Sequence, residues 1–152
     1  MNAPLFKRVA YRNLNSRQKE AFNFQKISAV LADYGFTTIR LSSDWRGADF
    51  IAQHFDGSIF LKIQLKSRLT FEKKYLKQDL YICFPHGGEW FLYPHDGFLK
   101  RLMALGKIEQ TNSWTKKRAY SFPTIPRKIR ELLEPYRLNA EPARGKTPIP
   151  PG

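Results

Sequence analysis

Three polar residues on two neighbouring extended runs have the types and spacing to do chemistry together. Asp49 lies in Gly47-Ala48-Asp49-Phe50-Ile51-Ala52, and Gln64 and Lys66 lie in Phe60-Leu61-Lys62-Ile63-Gln64-Leu65-Lys66. Between the runs stands Asp56-Gly57, the dipeptide most typical of a two-residue hairpin turn. With that turn Phe55 opposes Ser58, and Asp49 falls directly opposite Gln64. Directly opposed residues of an antiparallel pair share a face, their Cβ atoms roughly 4.5–5.5 Å apart. Lys66, two residues further on, points to that same face. An acid, an amide oxygen and an ammonium then meet on one patch. Hard oxygen donors suit Mg²⁺, which keeps several of its waters and binds a substrate phosphate. Such an ion polarises the phosphate and lowers the pKa of a bound water. A lysine beside it orients the nucleophile or offsets the charge that develops on the phosphoryl oxygens. The chemistry that fits this patch is phosphodiester hydrolysis.

The elements that must position these residues can be read from period and punctuation. Asn15 followed three positions later by Gln18 is a capping-box pattern that starts a helix. The helix is expected to run to about Tyr34 and stop at Gly35, with an apolar stripe of Phe24, Ile27, Leu31 and Tyr34. Glu20 falls four residues before Phe24 and continues that stripe, so it is expected to face the protein. A buried carboxylate without a partner costs several kcal/mol, and Lys66 or a divalent metal would offset that cost. With Glu20, the oxygen donors become Asp49, Gln64, the Leu65 carbonyl and a second carboxylate. Residues 36–41 read as a strand, 44–47 as its loop, and 48–54 and 58–66 as the hairpin. Along the hairpin, Phe50, Ala52, His54, Ile59, Leu61, Ile63 and Leu65 take one face, apolar enough to be core. Asp49, Ile51, Gln53, Phe60, Lys62, Gln64 and Lys66 take the other, which an ordinary amphipathic strand pair would leave wet. Residues 67–78 read as a basic loop over the patch, 79–85 as a central strand covered on both faces, 89–93 as a further strand and 98–105 as a helix. The connection 66–79 is long enough to cross over, which lets strands 58–66 and 79–85 be parallel neighbours. His95-Asp96 is explained by a helix start with Asp96 as cap, and Trp114 reads as an isolated aromatic. Ile125-Pro126 opens a last helix with the stripe Ile129, Leu132, Leu133 and Tyr136.

Composition sets the class of partner. The 152 residues are 42% hydrophobic and include 12 Phe, 7 Tyr and 3 Trp, enough for one domain with an aromatic core. That domain is expected over 1–138, with 139–152 a disordered tail rich in Pro, Gly and charge. Lys and Arg number 26 against 13 Asp and Glu, a formal charge of +13. So large a surplus speaks of nucleic acid first and of an anionic membrane surface second. No apolar run approaches the ~20 residues of a membrane span, and the first dozen residues lack the pattern of a secretory signal. The single cysteine, Cys83, sits in an apolar run and excludes an internal disulfide or a cysteine-rich zinc site. A cytoplasmic location is expected. The cations bunch as Lys62, Lys66, Arg68, Lys73, Lys74 and Lys77, then Lys116-Lys117-Arg118, then Arg127-Lys128-Arg130. Flanking the patch, they read as contacts to a phosphate backbone. Trp45 and Arg46 lead into Asp49, Trp45 as a lid on the core or a stacking platform for a base. No zinc finger, Walker loop, dinucleotide glycine fingerprint or RNA-binding aromatic signature is present.

A helix bearing Glu, then Asp, then Gln-x-Lys across a hairpin resembles the PD-(D/E)XK nuclease superfamily. Gln64 in place of the second acid is similar to its Mrr-like and resolvase-like branches. The resemblance covers roughly residues 15–93. It implies an α/β fold whose mixed central sheet is flanked by helices in the order α-β-β-β-α-β. It also implies Mg²⁺ or Mn²⁺, with Asp49 the principal metal ligand, Gln64 at the second motif position, Lys66 the catalytic lysine and Glu20 the assisting helix carboxylate. Ala48 stands where the motif's name has Pro. Gln64 is the larger departure, because it removes one negative charge and so lowers metal affinity. The function expected is a metal-dependent endonuclease acting on nucleic acid, DNA favoured, with a homodimer where both strands are cut. Two rivals stay open: a nucleic-acid-binding module of the same fold with little hydrolysis, and a basic interaction protein whose patch is only a wet sheet face.

Overall fold

The computed structural model describes residues 3–106 and 108–138. The tail expected at 139–152 lies outside the described residues. Helix α1, Ser16–Ala32, begins where the capping pattern places it: the Asn15 side chain accepts from the Gln18 N–H and the Gln18 side chain from the Asn15 N–H, both at 2.9 Å. Chain reversal follows at Gly35, whose φ of +84° suits a residue without Cβ; a Cβ there would stand 2.8 Å from His54 Nε2.

Strand β1 is Phe36–Trp45, four residues longer than expected, and β2 is Ala48–His54. Arg46 and Gly47, at φ +53° and +89°, make the two-residue turn between them. Positive φ at both positions is what a type I′ turn requires, so Arg-Gly does here what Asn-Gly usually does. A Cβ on Gly47 would meet the Tyr75 ring at 2.9 Å, which presses this hairpin tip against the segment that follows β3. Strand β3 is Phe60–Leu65. The Asp56-Gly57 connection is not the two-residue turn expected from the sequence. His54 N–H bonds the Ile59 carbonyl and His54 O accepts from the Gly57 N–H, leaving four residues in the loop. Losing one residue from each strand end preserves the register: Phe50 faces Ile63, Ile51 faces Lys62 and Gln53 faces Phe60.

After β3 the chain forms β4, Thr70–Glu72, and one 3-10 turn at Lys73–Tyr75, before β5, Leu80–His86, and β6, Glu89–Pro94. The basic loop expected at 67–78 is therefore structured, and the crossover carries a short strand where an α-β-β-β-α-β order carries a helix. Helix α2, His95–Met103, starts three residues earlier than expected; α3 is Asn112–Thr115, β7 Ala119–Ser121, α4 Arg127–Leu133 and β8 Arg137–Leu138. The main sheet has six strands in the order β1-β2-β3-β5-β6-β8, and β4 pairs with β7 in a second sheet of two. The β3–β5 pair is parallel, with Gln64 beside Ile82, and the other pairs are antiparallel. This is a mixed α/β fold with helices on both faces of the sheet.

Each face has its own core. Helix α1 lays Ile27 and Leu31 on Phe50, Ala52, Ile63 and Cys83. On the other side Leu69, Phe71 and Tyr75 from the crossover join Leu80, Ile82, Tyr93, Phe98, Ile129 and Leu133. Trp114, read as an isolated aromatic, is buried in this second core. The Cys83 thiol is fully buried, and burial raises its pKa. Among the described residues no helix is long and apolar enough to cross a membrane.

Candidate active site

The site is built where β2 begins and β3 ends. The observed register, carried one residue past the Phe50–Ile63 pair, sets Asp49 opposite Gln64. A hydrogen bond fixes it: the Leu65 N–H donates to Asp49 Oδ2 at 2.9 Å. Gln64 neighbours Ile82 on the crossover side of the sheet. Asp49, Gln64 and Lys66 thus stand at the margin of the second core, on the face turned away from α1. Gln64 Nε2 makes a long contact of 3.5 Å to the Leu65 carbonyl, and its Oε1 is buried without a hydrogen-bond partner. A buried amide oxygen left unpaired costs about 1–3 kcal/mol, a cost that a bound cation would offset.

Glu20 does not lie where the helical stripe put it. It is 55% exposed and sits 3.6 Å from Arg40 Nη2, so Arg40 rather than Lys66 is its counter-charge. The stripe that α1 buries begins at Phe24, half-buried against Phe50, and its fully buried members are Ile27 and Leu31. Glu20 nonetheless stays near enough to Asp49 for its charge to act on that carboxyl. Both carboxylates line two adjoining clefts. One, about 460 Å³, is shared with Tyr11, Lys19, Asn23, Gln64, Leu65 and Lys66. The other, about 580 Å³, is shared with Arg17, Arg40, Ser42, Ser43 and Asp44. Burial raises the pKa of Asp49, and the charges of Glu20 and Asp44 push the same way against the Leu65 N–H and Lys66.

Lys66 is paired with a residue the sequence reading did not select. Its Nζ lies 3.5 Å from Glu72 Oε2, and Lys74 Nζ lies 3.5 Å from the same atom. Both ammoniums sit over the Tyr75 ring, at 5.4 and 5.2 Å from its centroid. Burial pushes the Glu72 carboxyl up, but the Tyr75 hydroxyl and the two lysines outweigh it and hold the group below its ordinary range. Beneath Glu72 lies His95, fully buried, whose Nε2 accepts the Glu72 N–H at 3.1 Å and whose Nδ1 is 2.8 Å from Asp96. Asp96 is not the cap expected of it: Pro94 holds that position, and the Asp96 side chain serves His95 and the Lys77 N–H instead.

The other cations divide. Lys62 is half-buried, donating to the Gln78 carbonyl with its Nζ 5.6 Å from the Trp45 ring centroid, so it is spent on internal contacts. Lys73 lies over Trp114. Trp45, Arg46, Arg68, Lys74 and Lys77 are exposed close in sequence to the site. Lys116, Lys117 and Arg118 are exposed as well, but they line neither cleft. The cations that do line the clefts besides Lys66 are Arg17, Lys19 and Arg40, which the search for dense runs passed over. Arg17 and Lys19 precede Glu20 on the helix start that the capping box locates, which is the signal available for them.

Among the described residues no three His, Cys, Asp or Glu side chains group to hold a metal. The donors on offer are one or two carboxylates with neutral oxygens, Asp49 and Glu20 with Gln64 Oε1 and the Leu65 carbonyl. That set fits a hard cation that keeps several waters, and the unpartnered Gln64 Oε1 is the observation that favours it.

No family model matches the chain, and no curated protein matches it. Among solved structures it is similar to Hjc of Archaeoglobus fulgidus, a Holliday junction resolvase from an archaeal hyperthermophile. The two are 15% identical, with a TM-score of 0.44, over 71% of this chain and 91% of that one. Nothing of that protein's activity passes to this chain at such a level of likeness.

Proposed function

We propose that the protein is a Mg²⁺- or Mn²⁺-dependent endonuclease, with DNA the favoured substrate. The observation that carries this is the meeting of Asp49, an unpartnered Gln64 oxygen and the Lys66 ammonium in one cleft of a chain with formal charge +13. A bound divalent ion would supply Lewis acidity toward the phosphodiester and a more acidic water. Asp49, Gln64 Oε1 and the Leu65 carbonyl would hold it, with Glu20 beside them. Asp49 is itself oriented by the Leu65 N–H. Lys66 presents a positive charge to the cleft and steadies the oxygens on which charge develops. Arg17, Lys19 and Arg40 bind the flanking phosphates, and their contacts make binding fall with added salt.

The test is an assay on supercoiled plasmid, branched and single-stranded DNA in Mg²⁺, Mn²⁺ or EDTA, with wild type beside Asp49→Ala and Lys66→Ala. Metal-dependent products are expected, lost by roughly 10²–10⁴-fold in either folded variant. Cleavage that survives both substitutions, or that ignores EDTA, ends this reading. One observation favours a binding module instead: Gln64 stands where a second acid would strengthen the metal site. That alternative gives salt-sensitive DNA binding and no product in any metal.

A further inference from the structure

We propose that Glu72 is a positioning residue of the site, holding the Lys66 ammonium at the cleft wall, with the exposed Lys74 sharing the same carboxylate oxygen from outside the two clefts. The proposal rests on the reading of Lys66 as a catalytic group. Lys66 carries four methylenes of rotational freedom on the last turn of a strand end, and a side chain so free loses much entropy when fixed. Glu72 and Tyr75 remove that freedom before substrate arrives. The carboxylate draws both ammoniums to 3.5 Å of a single oxygen, and the Tyr75 ring supports both from below. Lys66 lines the cleft while Glu72 and Lys74 line neither of the two described above. The carboxylate therefore stands behind its lysine and leaves the ammonium's open side to solvent and substrate.

Glu72 is fixed in its turn. Its backbone N–H is bound by the buried His95, and His95 by Asp96, which also takes the Lys77 N–H. At the other end Lys73 N–H bonds the Arg118 carbonyl, and β4 pairs Glu72 with Ala119 of β7. Lys77 and Asp79, at φ +62° and +53°, hold strained backbone on the return to β5. Non-glycine residues kept in that region are strained, and the surroundings must sustain them. The crossover is thus clamped at several points around one carboxylate. Two lysines and one glutamate leave a net single positive charge.

The test has two readouts on the full chain. In the first, brief acetylation followed by peptide mass spectrometry compares the labelling of each lysine in wild type, Glu72→Gln and Glu72→Asp. Labelling of Lys66 and Lys74 rises about threefold or more in Glu72→Gln, as expected when no ion pair holds the side chains in place. Lys19 and Lys100 stay unchanged, and Glu72→Asp lies between. In the second, single-turnover cleavage of plasmid DNA in Mn²⁺ falls roughly tenfold to a hundredfold in Glu72→Gln at saturating DNA. Its DNA affinity holds or rises, since a negative charge has gone. Unchanged labelling of Lys66 in folded Glu72→Gln overturns the proposal, and so does an unchanged rate constant. If Glu72→Gln does not fold, Glu72→Asp decides: Lys66 labelling and a rate constant both equal to wild type in that variant overturn the proposal. A wild type that cuts nothing defeats the nuclease reading, while the labelling still decides whether Glu72 holds the lysines.

Discussion

The two faces of the β2–β3 hairpin are both covered, yet they are finished differently at the end of the sheet. On the α1 face, Phe50, Ala52 and Ile63 are fully buried under Ile27 and Leu31, and no polar side chain is needed among them. On the opposite face the same two strands run from a large aromatic core into Asp49, Gln64 and Lys66, with Glu72 supplied from the crossover. Ile63 and Gln64 are neighbours in the chain and belong to different chemistries. One face is closed for stability. The other ends in a carboxylate whose pKa burial raises and an amide oxygen buried without a hydrogen-bond partner.

This contrast can be broken by substitution on either side. The largest effect belongs to the polar face: Lys66→Ala lowers the single-turnover cleavage rate by roughly 10²–10⁴-fold while Tm moves by only a few degrees. A Lys66→Ala protein that cuts at the wild-type rate would remove the distinction. Next is the closed face. Ile63→Ala, measured by urea unfolding, costs about 2–5 kcal/mol through lost burial and the cavity left behind. A loss under about 1 kcal/mol would mean that α1 packs loosely on the hairpin.

A smaller effect is read from pH. His95 is buried, and burial holds its pKa below the usual value against the pull of Asp96. The folded form therefore takes up its proton at lower pH than the unfolded chain. The stability this group contributes is complete above the unfolded value of about 6.5 and is lost as pH falls below it. Between about pH 7.5 and 5 the Tm of wild type should drop more than that of His95→Gln. Equal slopes would show that His95 is not the group titrating there.

Much of the closed face was legible in the chain. The Asn15–Gln18 pair and the 3.6-residue stripe from Phe24 to Leu31 are local signals that tertiary structure did not overrule. The hairpin register was legible too, although the loop was misjudged, because shortening both strands equally leaves every pair unchanged. The polar face was legible only in part. Asp49, Gln64 and Lys66 follow from alternation and register. Glu20 was placed on the buried side because a helical stripe does not say at which turn burial begins, and in α1 it begins at Phe24. Glu72 gave no signal. A strand of three residues has too little alternation to detect, and the β4–β7 pairing that forms it joins segments almost fifty residues apart. His95-Asp96 read as a helix start, and it is one, but its side chains are used across the fold rather than along the helix.

The smallest effect is also the most pointed, because it moves two quantities in opposite directions. The Asp49 carboxyl is raised chiefly by burial, so the folded form keeps its proton to higher pH than the unfolded chain does. Its contribution to stability is greatest below the unfolded value of about 3.9 and is lost as pH rises through the folded value. At neutral pH the ionised group is therefore a liability to the fold. Asp49→Asn keeps an oxygen for the Leu65 N–H and removes the charge. In EDTA at pH 7 its Tm should rise by about 2–4 °C, and the same protein in Mn²⁺ should cut plasmid DNA at a small fraction of the wild-type rate. A variant that loses stability, or that still cleaves as wild type does, contradicts a site in which Asp49 is kept for metal-dependent hydrolysis at the expense of the fold.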